Sequence, residues 1–243
     1  MNAVVQVNDK GDFPDENFYL AWRGLEMWGY DVRTMDYRQI PRLTARKDRP
    51  VYAGVDTFIK MMRLNRIDII NDQLPSYPEE LKSFLGREIS ITTLRKLRAA
   101  MREGRKVFVK PLDKERKLFA GGVLDSKSDL IAFSNLPDEW QLYAADLIDP
   151  VTEYRVYVCD QEILDIRKYG HEVWGPVPLD RSVVESAIQT LKSPPAAYCM
   201  DFCVTKQGQT LLVETTDAWS FGAYGLDAKH YGRMIIKRWQ GFF

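Results

Sequence analysis

Up to Gly104 the apolar positions mix short continuous runs with helical spacing; beyond it they fall mostly into short runs separated by turn residues. The opening run Ala3–Val7 predicts a strand. Residues 17–28 carry Phe18, Leu20, Trp22, Leu25 and Trp28 and predict a helix that Gly29 stops. A second strand follows over Tyr30–Met35, so the chain opens as an α/β unit. The pattern then predicts a helix over Val51–Leu64, a buried strand over Ile67–Ile70, and a turn over Leu74–Pro78. A helix start follows at Pro78-Glu79-Glu80, and a helix over Thr92–Glu103.

After Gly104, RKVFVKPL, LFAGGVL, LIAFS, WQLYAADLI, EYRVYVCD, EILDIRKYG, AAYCMDFCVT and TLLVETTD all have strand texture. Helices are expected over Ser182–Leu191 and Asp227–Trp239. No repeat and no low-complexity tract interrupts this order. A subdomain boundary is expected near Gly86–Ser90, giving a small N-terminal α/β subdomain at 1–88 and a larger domain at 89–243.

Composition narrows the function classes. Hydrophobic residues make 45% and charged residues 28% of the 243, enough to build a core without disulfides or a structural metal. Lys plus Arg and Asp plus Glu both number 34, so no basic excess points to nucleic acid or a membrane surface. Three cysteines, no long apolar run and an early turn to acidic residues lead to the expectation of a soluble, cytoplasmic protein. Cys199 and Cys203 share a face of one strand, where core packing is favoured over a zinc site.

Candidate chemistry concentrates in the strand-rich part. Asp201 interrupts the apolar YCMDFCVT, Glu214 ends the apolar run of TLLVETTD, and Lys206-Gln207-Gly208-Gln209 between them suits a hairpin. Adjacent antiparallel strands would bring the two carboxylates onto one surface, where they need a shared proton or a metal ion. Mg²⁺, which takes oxygen ligands and phosphates, is one solution. Pairing of each carboxylate with an arginine is the other. Lys110 ends VFV just before Pro111 and is either a phosphate contact or a solvated cation. Gly121-Gly122 could let backbone N–H groups approach phosphate oxygens. Arg155 alternates with Val156 and Val158 and either clamps an oxyanion or pairs with Glu153 or Asp165. No P-loop, dinucleotide fingerprint, GxSxG, KxDG, HRD or DFG is present. AWSFGAYG either shapes a substrate pocket or packs the last helix.

Taken in order, VFVKPLDKERKLFAGGVL, EYRVYV, YCMDFCVT, LLVETTDAWSFGAYGLD and the closing KRW resemble the ATP-grasp superfamily. They are most similar to its small phage and bacterial branch of predicted amide ligases. The resemblance runs from about Val107 to Trp239. It implies an α/β (α+β) ATP-grasp fold, two lobes about the nucleotide, and a pre-ATP-grasp subdomain in front. It further implies that Lys110 holds the ATP phosphates, with Lys117, Gly121 and Gly122 in the loop over them. Tyr143, Ala144 and Ala145 would form the hinge along adenine, and Glu153 would meet the ribose. Arg155 would neutralise the transferring phosphate, and Asp201 and Glu214 would hold Mg²⁺. The family commonly has Asn two residues after the second acid; here Thr216 stands there, followed by Asp217, and these two complete the expected metal set. The implied activity is an ATP- and Mg²⁺-dependent carboxylate–amine ligation through an acyl phosphate. The expected partners are small-molecule or peptide carboxylates and amines. An ATP-dependent phosphotransferase and a non-catalytic nucleotide-binding module on the same fold are the alternatives.

Overall fold

Strands β1 (Asn2–Val7), β2 (Asp31–Asp36) and β3 (Val51–Tyr52) pair in parallel in the order β2-β1-β3, and helix α1 (Glu16–Met27) makes the first crossover. Asp15 caps α1 by accepting the Asn17 backbone N–H at 2.8 Å. Gly29, at φ 81, turns the chain out of it. The computed structural model describes residues 1–112, 119, 121–170 and 177–243. The chain forms two compact units, one from Met1–Phe84 with Pro150–Phe243 and the other from Leu85–Asp149. The sequence suggests one cut between residues 88 and 89. The chain instead leaves the first unit after Phe84 and re-enters it at Pro150.

In the first unit, β8 (Pro150–Cys159), β9 (Glu162–Tyr169), β10 (Ala197–Thr205) and β11 (Thr210–Asp217) form an antiparallel sheet in the order β11-β10-β8-β9. Helix α4 (Arg181–Thr190) precedes β10, and α5 (Ala228–Gln240) follows β11. Helix α5 packs on α1 at a glycine crossing: a Cβ on Gly24 would lie 2.8 Å from the Gly232 backbone nitrogen. Only glycine on both helices lets the backbones approach this closely. Tyr157, Cys159, Ala197 and Cys199 from the sheet join Leu25, Phe221, Tyr231 and Met234 in the core around this crossing.

In the second unit, β4 (Ile89–Thr93), β5 (Val107–Pro111), β6 (Gly122–Leu124) and β7 (Gln141–Ala145) form an antiparallel sheet in the order β4-β7-β5-β6. Helix α3 (Leu94–Arg102) covers one face, where Leu94, Leu97 and Met101 meet Val109, Leu124 and Leu142.

Several expected elements differ. Val51–Leu64 is β3 followed by α2 (Val55–Leu64), because Val51 and Tyr52 pair with Val4 and Val5 and Gly54 breaks the run. Ile67–Ile70 is a turn, not a strand: the Asp68 carboxylate accepts the N–H groups of Ile70 and Asn71 at 3.2 and 3.1 Å. Leu130–Ser134 is not a strand either. It falls largely in a 3₁₀ segment, Lys127–Phe133, started by a Ser126–Asp129 capping box. The helix expected at Pro78 is 3₁₀ over Glu79–Phe84. The helix expected from Thr92 starts at Leu94, with Thr93 as its cap. Of LFAGGVL, Gly122–Leu124 is strand, and Leu118 and Ala120 lie outside the described residues.

Candidate active site

Antiparallel register places directly opposed residues on one face of a sheet. In the first unit Arg167 opposes Arg155, Arg155 opposes Asp201, and Asp201 opposes Glu214. Two cations and two carboxylates therefore form one row across all four strands. Glu153 and Tyr169 form the next row on the same face, and Thr216 lies one row the other way, opposite Cys199.

The middle of the row is an ion pair. Arg155 donates from Nε to Asp201 Oδ1 at 2.8 Å and from a terminal nitrogen to Oδ2 at 2.6 Å. Their side chains are 7% and 2% exposed, so the contact is almost free of water screening. Burial pushes the Asp201 carboxyl up; the Arg155 guanidinium pulls it back, the nearby Glu214 charge raises it, and a hydrogen bond from Tyr169 lowers it. Burial, with the charge of Asp201, keeps the Tyr169 phenol protonated and hence a donor. Arg155 also donates to the Gly222 carbonyl at 3.4 Å. Its guanidinium carbon lies 4.6 Å from the Tyr224 ring centre and 5.6 Å from that of Tyr169, and those two rings stack at 4.8 Å. Arg167 is bound to Asp165 at 2.7 Å.

Asp217 faces the other side of β11. It takes Arg238 Nε at 2.7 Å and a second Arg238 nitrogen at 3.1 Å, together with the N–H groups of Leu74 and Trp219 at 3.0 and 3.2 Å. With the carboxylate fully satisfied and 1% exposed, Asp217 is a structural anchor rather than the metal ligand expected of it. Thr216 keeps its place on the face of Asp201 and Glu214. The AWSFGAYG segment divides: Trp219 stacks on Phe58 and Phe221 packs on Tyr231, whereas Tyr224 is 51% exposed. A cavity of about 520 Å³ in this unit is lined by Leu74, Tyr77, Lys192 and Arg238 among others, and by none of the row.

In the second unit Lys110 opposes Tyr143, and Phe108 opposes Ala145 and Val123. With Ile91 opposite Tyr143, these residues share the sheet face turned away from α3. Ile91 and Val123 are 58% and 54% exposed. This is an apolar platform carrying a lysine. Gly121 permits it, since a Cβ there would come within 2.9 Å of the Phe108 ring. Ala144 and Gly122 both oppose Val109, so they belong to the α3-covered face and offer the platform only backbone. Lys117 lies outside the described residues.

The sequence pattern of an ATP-grasp domain family, the second family of its clade, matches residues 84–234, more than half of the chain. The chain belongs to that family. This ATP-grasp protein also shares its fold with several solved structures. The D-cycloserine synthetase DcsG superposes with a TM-score of 0.64 at 12% identity, over 98% of this chain and 100% of that one. A RimK-domain ATP-grasp protein from Sphaerobacter thermophilus gives 0.56 at 12%, over 97% and 98%. The macrocyclase MdnC from Microcystis aeruginosa, bound to the precursor peptide MdnA, gives 0.54 at 13%, over 97% and 99%. No curated protein matches in sequence. The ATP-grasp assignment expected from the sequence is thus established, and with it the fold.

For an ATP-grasp protein the donor set fits Mg²⁺. Asp201, Glu214 and Thr216 are hard oxygen donors on one face, too few to enclose a cation without phosphate oxygens. Among the described residues no cluster of three or more His, Cys, Asp or Glu side chains offers a self-sufficient metal cage. Both Asp201 oxygens are already engaged by Arg155, so a cation there requires the guanidinium to move. The sequence marks Gly222 and Tyr224, within AWSFGAYG, as possible pocket residues and Tyr169 as a strand end, but nothing in the string couples any of them to Arg155.

Proposed function

We propose that this chain is an ATP- and Mg²⁺-dependent ligase that joins a carboxylate to an amine through an acyl phosphate. The observation that carries the proposal is the row of Arg155, Asp201 and Glu214 on one sheet face. Lys110, on the apolar platform of the second unit, binds ATP phosphate oxygens as a compact cation. Tyr143, Ala144 and Ala145 supply the edge along adenine, and Glu153 meets the ribose. Asp201 and Glu214, with Thr216, hold Mg²⁺, which when bound neutralises phosphate charge and acts as a Lewis acid.

The substrate carboxylate oxygen attacks the γ-phosphorus, the bond to the ADP oxygen breaks, and an acyl phosphate forms. The amine nitrogen then attacks the acyl carbon; the carbon–oxygen bond to phosphate breaks, and phosphate and a proton leave. No protein nucleophile takes part. The chain's work is positioning and charge stabilisation by Lys110 and Arg155. The substrates are small-molecule or peptide carboxylates and amines, and the buried free cysteines suit a reducing cytoplasm.

Substrate-dependent ADP release, followed across a panel of carboxylate–amine pairs, tests this directly. Asp201→Asn and Glu214→Gln are expected to lower it by on the order of 100-fold, about 2.7 kcal/mol of transition-state stabilisation. Full release by both variants contradicts the assignment. The occupied Arg155–Asp201 pair and Thr216 in place of Asn favour one second reading, a nucleotide-binding module without turnover, which a single productive pair removes. A phosphorylated product without amide would mark a phosphotransferase instead.

A further inference from the structure

Tyr224 is half-exposed yet held in a strained conformation. Its φ of 41 lies in the left-handed region, which is uncommon for a bulky residue, and Gly225 follows at φ 85. Such a conformation is strained and persists where the surroundings over-determine it. Here they do. The ring lies on Tyr169 and over Arg155, and a Cβ on Gly222 would come within 3.3 Å of the ring and 3.8 Å of an Arg155 terminal nitrogen. Loop residues Gly222, Tyr224 and Gly225 are thus shaped to lay an aromatic face on one guanidinium. That guanidinium is the one bound to both oxygens of Asp201.

We propose that Tyr169 and Tyr224 are positioning residues that hold Arg155 on Asp201 and keep a divalent cation off this carboxylate until nucleotide phosphate draws the guanidinium away. The inference rests on the reading of Asp201 and Glu214 as the Mg²⁺ ligands. Its physical basis is charge. A guanidinium and a divalent cation on one buried carboxylate repel each other strongly where water does not screen them. Tyr169 tightens the arrangement because its ring backs that of Tyr224 and lies beside the same guanidinium. Metal and nucleotide therefore bind together rather than singly, and the clamp sets how strongly each needs the other.

Mn²⁺ serves as the probe, with free Mn²⁺ followed by EPR on the full chain, without and with ATP. Tyr224→Asn removes the ring while tolerating the left-handed backbone. It is expected to bind Mn²⁺ without ATP on the order of tenfold more tightly than wild type, the scale of one desolvated cation–π contact. Tyr224→Phe keeps the ring and should match wild type. Adding Asp201→Asn to Tyr224→Asn should abolish the gain. A merely structural role for Tyr224 lowers the melting temperature without tightening Mn²⁺. If Tyr224→Asn does not melt cooperatively, Arg155→Lys, which keeps the charge without the two-pronged contact, should show the same gain. Wild type binding Mn²⁺ only with ATP, and no gain in either variant, overturns the clamp and leaves the ligase reading standing. No Mn²⁺ binding by any variant, even with ATP, overturns the metal assignment and the clamp with it.

Discussion

Among the described residues two buried guanidiniums, Arg155 and Arg238, each hold an aspartate with two nitrogens, and their surroundings give them different roles. Asp217 receives four donors and has no second acid opposite it in the sheet. Asp201 has Glu214 opposite, on the same face. Removing the charge of Asp217 leaves Arg238, whose side chain is 3% exposed, with only the more exposed Asp72 carboxylate at 3.4 Å, and breaking a buried pair in this way costs about 3 kcal/mol. Asp217→Asn is therefore expected to lower the melting temperature by on the order of 10 °C. A change of a degree or less in a thermal melt would show that Asp217 does not anchor the fold. Strand alternation in TLLVETTD already puts Glu214 and Thr216 on one face and Asp217 on the other. The partner 21 residues later was not legible, because the contact depends on where α5 returns to the sheet. The Arg155–Asp201 pairing was open in the sequence only as a general alternative. Glu153 and Asp165 were the local partners in view, whereas the actual one is 46 residues away.

Among the elements, the α1–α5 crossing is the most demanding contact. With the Gly232 backbone nitrogen 2.8 Å from a Cβ on Gly24, a methyl group there forces the helices apart. Gly24→Ala should cost about 1–3 kcal/mol or more, against the gain alanine gives in an unpacked helix. A melt at or above wild type would contradict the close approach. The β8–β9 hairpin carries a charge test. Asp160 and Gln161, at φ 52 and 66, make its two-residue turn, and Asp160 pairs with Arg233 and Lys237 of α5. Burial tends to raise the Asp160 carboxyl, but the Lys237 and Arg233 contacts outweigh it and hold it below the usual carboxylate range. A lowered folded value adds stability above the unfolded value and loses it as pH falls through the folded one. Asp160→Asn, which keeps the turn, should therefore be less stable than wild type near neutrality, with the difference vanishing in acid. A deficit that persists there would assign the effect to the turn instead. The C-terminal strands were legible because alternation and turn residues agree over β8 to β11. Val51-Tyr52 and Leu130–Ser134 were not. In the first, pairing with β1 overrides helical spacing; in the second, a capping box turns a strand-like apolar run into 3₁₀ structure.

For the whole molecule, the chain leaves one unit at Phe84 and re-enters it at Pro150, while the family match runs from 84 to 234. The order of the motifs carried the fold, since each motif alone was weak. The return of the chain to its first unit was not legible, because it depends on α1 and α5 meeting across most of the sequence. Thermal melting of wild type and Lys110→Ala with Mg²⁺·ATP, ATP alone and Mg²⁺ alone tests the central claim most directly. Ligand at about 100 times its Kd adds about 2.7 kcal/mol. For a chain of this size the expected rise is roughly 5–10 °C, seen with Mg²⁺·ATP in wild type and lost in Lys110→Ala. A cooperative melt that no combination of nucleotide and metal moves would contradict ATP binding, and the ligase proposal with it.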